Sequence, residues 1–387
     1  MTWRTYLGRT MTGTLGTLLD VSAGSVGMSL NAHDDVQVTC SRASLDGVDP
    51  VFRSYRSGCL VVTYEDATGR ERIISAAPIS AAPTEDRKAG TVSFTGKGPG
   101  WLLEDRVLLD KDYSVAAAKD LRKATIRFHG DTWPSIVGEI VRLAMLKPGG
   151  WLPIVTPPRE TGTRQHTYEG WNLANNGAWK RIQEITEVIG GPDVAFRPRW
   201  TDDAHTAFEW ELLVGNDQQQ TLPQDNTVVW DGTSPEGDVA TIDVATDATG
   251  VAHRVYATGA GEGKTIALEV AQASALAEYM PLVEKVISDS DAEADKSGVS
   301  TLLQSKAAAG IATQQLDQID LTVHADPLDK PAGTWWCGEL ARVVTEGWLD
   351  VPDGEHLLRM IATKYTLGSD IATVQCQADY LGEELAW

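Results

Sequence analysis

The sequence predicts an α+β protein that is mostly β: two small β-barrel or sandwich domains flank an α+β domain with two helices, and the last domain holds a helical excursion. Three observations carry this. Short alternating apolar runs separated by Gly, Pro and Asp fill roughly the first 110 residues and return after about residue 226. Between them, two segments repeat their apolar residues at helical spacing. Within the last block an Ala- and Leu-rich passage, Ser300 to Thr313, interrupts the strands.

The first domain is expected over residues 1–115. Val36-Gln-Val-Thr-Cys40 alternates, and Cys59-Leu-Val-Val-Thr-Tyr-Glu65 is an apolar strand. Asp66-Ala-Thr-Gly69 turns the chain into Arg70-Glu-Arg-Ile-Ile-Ser75, which makes a hairpin. Thr91-Val-Ser-Phe-Thr95 alternates again, Gly96-Lys-Gly-Pro-Gly100 breaks the pattern, and Trp101 to Leu108 closes the block. No helical periodicity precedes about residue 112.

The inserted α+β domain is expected over 116–225. Asp131 or Thr132 caps a helix with Pro134 in its first turn, its apolar face being Trp133, Ile136, Val137, Ile140, Val141 and Ala144. Pro148-Gly-Gly150 stops it. A second helix carries Trp179, Ile182, Ile185, Val188 and Ile189 and ends at Gly190-Gly-Pro192. Val194 to Trp200 and Ala207 to Val214 read as strands. The third domain, 226–387, contains strands at Thr227–Trp230 and Val251–Ala257, the helical excursion at about 265–313, and a meander at 319–323, 335–344, 356–365 and 371–377.

The charge narrows the function classes. Lys plus Arg number 33 against 54 Asp plus Glu, a net −21. Such a surface repels phosphate backbones and anionic membranes. No run approaches the length of a membrane helix, and the first nine residues lack a signal peptide's apolar middle. The chain is therefore expected to be made in a cytosol and to stay there, or to leave only inside a larger particle, without membrane insertion. Cys40, Cys59, Cys337 and Cys376 are widely spaced and read as buried thiols, with a Cys40–Cys59 bridge as the open alternative.

Tests for chemistry return no catalytic, cofactor-binding or metal residue, and the chain reads as no enzyme and as needing no cofactor. Thr258-Gly-Ala-Gly-Glu-Gly-Lys-Thr265 approaches a phosphate loop but has Thr258 where the first glycine must let backbone approach phosphate. Asp289-Ser-Asp-Ala-Glu-Ala-Asp295 opens like a calcium loop, yet Ala294 and Ser300 stand where Gly and Glu are needed. His33, His129, His166, His205, His253, His324 and His356 never fall at metal-ligand spacing. Gly24-Ser-Val-Gly27 lacks the preceding glycine of a nucleophile elbow, and the adjacent pairs Glu104-Asp105 and Glu383-Glu384 face opposite ways on a strand. Thirteen Trp suit a core and subunit contacts. Their alternative use is stacking sugars.

The order of barrel, α+β insert and second barrel resembles the siphophage tail hub (tail-associated or baseplate hub) proteins, and in particular the Gp37-like minor tail proteins of phages infecting actinobacteria. The resemblance rests on Gly100 to Val107, Asn226 to Trp230, Val255 to Gly261, Tyr279 to Glu284, Leu302 to Ala308, and Gly333 to Val344 continuing through Arg359-Met-Ile361. It departs at Gly338-Glu339, where the family usually carries Gly-Asp. It implies a homotrimeric ring at the distal end of a tail tube, in the tail tip of a virion, synthesised in the bacterial host cytoplasm. Its partners would be the distal tail protein ring, the tape measure protein and tip or receptor-binding proteins, with genomic DNA passing through without specific binding. A lumen lined by part of the chain's negative charge would repel that DNA. Two rivals stand beside this reading. One is a glycan-binding tail protein using exposed Trp, the other a cell-wall hydrolase with a carboxylate pair assembled from distant residues.

Overall fold

The computed structural model describes residues 2–110, 124–188, 190–247, 252–260, 266–272, 282–293, 298–311, 316–349 and 351–378. The class is as expected, α+β and mostly β; among the described residues there are five helices, and none of the sheets closes into the barrel that was one form expected of the outer domains. The chain divides into two compact units, one made of Met1–Asp243 with Asp320–Trp387 and the other of Val244–Ile319.

In the larger unit the expected hairpin is present as strands Gly58–Glu65 and Glu71–Pro78. Its turn is set by Asp66, whose carboxylate accepts from the Thr68 and Arg70 amides at 2.9 and 3.1 Å. Gly69 supplies a φ of +83°. Burial on both faces explains the uninterrupted apolar run of the first strand. Strands Thr2–Arg9 and Leu15–Leu18 extend this into a four-stranded sheet.

The other early strands go elsewhere. Val21–Ser29, Asp35–Ser41 and Thr91–Lys97 lie in one ten-stranded sheet with Gly354–Thr366, Ile371–Ala378 and Leu316–His324. The seam is antiparallel, running from Ser29 opposite Ala362 to Ser25 opposite Thr366. A run of rings follows it across the core: Trp3 to Tyr64 at 4.9 Å, Trp3 to Tyr365 at 5.5 Å, Tyr365 to Trp335 at 5.7 Å, and Trp335 to Trp230 at 5.2 Å. Edge and tilted contacts of this kind contribute beyond their burial.

The two middle helices are Trp133–Met145 and Ala178–Thr186. Thr132 caps the first, its Oγ1 accepting from the Ser135 amide, and Pro134 sits in its first turn where no amide is needed. Ile136, Val137, Ile140 and Val141 are fully buried in a cluster shared with Trp179, Ile182, Phe208, Trp210 and the hairpin's Val61 and Ile73. The Trp210 indole also donates to the Ala76 carbonyl at 2.9 Å. Strands Val194–Trp200 and Phe208–Val214 pair as expected. Two short helices, Pro50–Arg53 and Gly100–Glu104, precede residue 112 and are a correction to the helix-free first block. At four and five residues neither completes two turns, so neither can show a period.

The smaller unit is a three-stranded sheet, Leu268–Gln272, Arg254–Ala260 and Glu284–Glu293 in that order, with helix Val299–Ile311 on one face. Val255, Ala257, Leu303 and Ala307 form its core. The helical passage expected from Ser300 is this helix. Part of the surrounding excursion is strand.

Candidate functional site

The larger unit converges on a polar joint around residues 336–339. Gly338 has φ +93°, and a Cβ there would meet Leu222 at 2.5 Å and Leu30 at 2.9 Å, so only glycine admits this approach. The next residue, Glu339, is buried at 5% exposure and takes the Arg197 guanidinium at 2.7 Å and the Trp336 amide at 3.0 Å. Arg197 lies 5.0 Å over the Trp336 ring. The departure noted in the sequence, Glu after Gly338, thus places a carboxylate one methylene further out, and Arg197 of strand Val194–Trp200 meets it.

A second contact ties three segments. Asn31, at φ +57° in a turn that Asn tolerates, accepts from the Val194 amide at 2.8 Å and donates to Asp193 at 3.2 Å. The other oxygen of Asp193 pairs with Arg359 of strand Gly354–Thr366. Close by, Ser75 of the hairpin donates to Asp34 at 2.9 Å. Burial pushes the Asp34 carboxyl up to about 7, with the Ser75 hydroxyl opposing the shift. Burial also raises Asp193 and Glu339, opposed by their arginines. Cys337 is buried, and burial raises its thiol. A cavity of about 40 Å³ borders Asp34, Arg197, Trp336 and Cys337. It has room for water but not for a drug-sized ligand. These groups hold elements together rather than converge on a reacting atom.

Two larger recesses open on the surface of this unit. One of about 470 Å³ is lined by Arg70, Arg72, Arg197, Arg199, Trp200 and Trp336, with Glu71, Asp202 and Asp203. Most of that cation charge is matched, since Arg72 pairs with Asp66, Arg197 with Glu339, and Arg199 with Glu209 and Glu211. The other, of about 340 Å³, carries Arg9, Arg56 and Arg106 against Asp105.

The residues weighed in the sequence are scattered. Thr258–Ala260 end strand Arg254–Ala260, and 261–265 lie outside the described residues. Asp289 of the acidic run pairs with Lys306 at 2.5 Å; 294 and 295 lie outside the described residues. Gly24 to Gly27 sit within strand Val21–Ser29. Glu104 reaches His33 at 2.8 Å while its neighbour Asp105 pairs with Arg56, so the two carboxylates serve different partners. Glu383 and Glu384 are outside the described residues. Burial lowers His33 and His166, His253 accepts from the Val283 amide, and His205 stacks on Trp200 at 4.4 Å. Among the described residues no three His, Cys, Asp or Glu gather at metal-binding distance. All four cysteines are free and buried, with no bridge between Cys40 and Cys59. Trp133, Trp179, Trp210, Trp230 and Trp335 fill the core, whereas Trp151 and Trp171 are exposed. No helix of the described residues is long and apolar enough to cross a membrane.

No protein-family model and no curated protein matches the sequence. The fold has solved counterparts. The tail protein from Neisseria meningitidis MC58 superposes over 98% of this chain and 98% of its own, with TM-score 0.52 and 12% identity. A chain of the Francisella PdpA-VgrG complex matches 100% of this chain with TM-score 0.53 and 10% identity; this chain spans 53% of it.

Proposed function

We propose that the chain is a structural tail protein of a phage, located in the virion and acting by assembly rather than turnover. The observation that carries this is that the fold of a tail protein is matched over 98% of the chain, in a chain whose own early and late strands join in one sheet. A continuous sheet of this kind, braced by partly buried ion pairs and by edge and tilted ring contacts, suits a part that must bear load. The finer reading comes from the sequence resemblance. It is a trimeric hub ring at the distal end of a siphophage tail tube, of the minor tail type found in phages of actinobacteria. The ring would join the distal tail protein ring and tape measure protein to tip or receptor-binding proteins, and its acidic lumen would let DNA leave without binding. The three domains drawn in the sequence, 1–115, 116–225 and 226–387, would be its modules. Light scattering tests the ring: a particle of three times the 41.8 kDa chain supports it, and a stable monomer at micromolar concentration removes it.

The exposed Trp151 and Trp171 favour a second reading, binding of host cell-wall glycans. Glycan-array binding lost in Trp151→Ala or Trp171→Ala would establish it. Absence of binding by the unaltered chain would dismiss it.

A further inference from the structure

The recess of about 340 Å³ breaks the charge pattern of the chain. Arg9, Arg56 and Arg106 line it against Asp105 alone, a surplus of two positive charges in a protein of net −21. The cations of the larger recess, by contrast, are mostly matched by carboxylates. Three separate segments supply these arginines: the end of strand Thr2–Arg9, the turn after helix Pro50–Arg53, and the turn after helix Gly100–Glu104. They stand close enough to repel. Burial lowers the pKa of Arg106, and the charge of Arg56 lowers it further.

Two of the three guanidiniums are fixed in advance. Arg106 donates through Nη1 to the Ala144 and Gly150 carbonyls, which leaves Nε and Nη2 without a protein partner among the described residues. Arg56 pairs with Asp105 and lies over the rings of Tyr55 at 5.2 Å and Trp101 at 4.9 Å. Its backbone has φ +61°, a left-handed value that glycine would hold without strain. Strain of this kind gathers at ligand sites, and here it places a guanidinium at the recess. Arg9 has no ion pair among the described residues and can turn onto a ligand. Met11 and Ser57 add an apolar group and a hydroxyl to the wall.

We propose that this recess binds a phosphate dianion, free or as the monoester end of a small molecule, on Arg9, Arg56 and Arg106. A phosphate monoester carries a charge of about −1.5 to −2 at pH 7, which balances the surplus; a carboxylate balances only half of it. Guanidinium forks also meet phosphate oxygens two at a time. The volume lies at the lower end of the roughly 300–1,000 Å³ of small-molecule sites, so the ester is the expected form. The inference concerns one surface recess and stands apart from the tail assignment.

The test is isothermal titration calorimetry of the full chain with inorganic phosphate and with glucose 1-phosphate, acetate serving as the monoanion control. One-to-one binding of a phosphate probe with Kd below about 1 mM is expected, with acetate at least about tenfold weaker. Arg9→Gln and Arg56→Gln should each weaken that binding about tenfold or more, whereas Arg199→Gln in the larger recess leaves it unchanged. The Arg9 side chain pairs with no carboxylate, so an unaltered thermal melt of Arg9→Gln separates lost binding from lost folding. Tighter binding of glucose 1-phosphate identifies the ester as the source, and tighter binding of inorganic phosphate identifies the free ion. A Kd above about 1 mM for both probes, acetate bound as tightly as phosphate, or an affinity unmoved by Arg9→Gln overturns the site.

Discussion

Replacing Asp34 by Asn should stabilise the protein in a pH-dependent way. The folded carboxyl titrates near 7 against an ordinary 3.8, so between those values the native state binds more protons than the unfolded chain. Stability contributed by this group is therefore full below about pH 4, falls as pH rises, and is gone above about 7. At about 1.4 kcal/mol for each pH unit the whole effect is at most about 4 kcal/mol, of which about 2.5 lies between pH 5 and 8. Asn keeps the acceptor for the Ser75 hydroxyl and carries no charge. Urea unfolding of both proteins at pH 5, 6, 7 and 8 should show the advantage of Asp34→Asn growing by about 2–2.5 kcal/mol across that range. Asp193 and Glu339, raised in the same direction by burial, tilt both curves alike and drop out of the difference. A difference that stays flat would refute the argument that burial controls this carboxyl.

Other consequences are equally open to measurement. Arg197→Met strands the buried Glu339 carboxylate and should cost about 3–5 kcal/mol, whereas the double change Arg197→Met, Glu339→Gln should recover much of it; equal losses would mean that the pair is not coupled. Gly338→Ala meets both a left-handed backbone and the Leu222 methyl at 2.5 Å, so a loss of at least about 1–3 kcal/mol is expected in thermal unfolding. Thr132→Ala removes the cap of helix Trp133–Met145 and should cost about 1 kcal/mol, with Thr132→Ser close to the parent.

The hairpin 58–78 and the helices at 133–145 and 178–186 were legible because each is specified locally, by turn chemistry, caps and period. Strand Val21–Ser29 was not. It carries Gly24 and Gly27 in place of good strand formers, and the structure gives the reason for Gly24: a Cβ there would stand 2.2 Å from Leu367. The close approach that needs glycine is the same fact that erases the strand's signature. Strand Leu268–Gln272 fell inside the expected helical excursion because its Leu, Ala and Gln suit a helix, and pairing with Arg254–Ala260 overrides that preference. Of the joint, Gly338-Glu339 stood out in the sequence, but its partners did not. Periodicity says which face a residue occupies, never which distant residue it will meet, so Arg197, Asn31, Asp193 and Arg359 carried no signal.

The sheet shared by early and late strands has a cost in time. The Trp3 indole waits for the carbonyl of Ser369, a separation of 366 residues, and Val21–Ser29 waits almost as long for its partner in Gly354–Thr366. At roughly 5–20 residues per second on a ribosome, that interval is on the order of 20–70 s. Throughout it the nascent chain presents a strand with one bare side to every other chain nearby, a standing invitation to mispair. Its yield in a cell should therefore depend on the speed of translation and on chaperone supply far more than its finished stability would suggest.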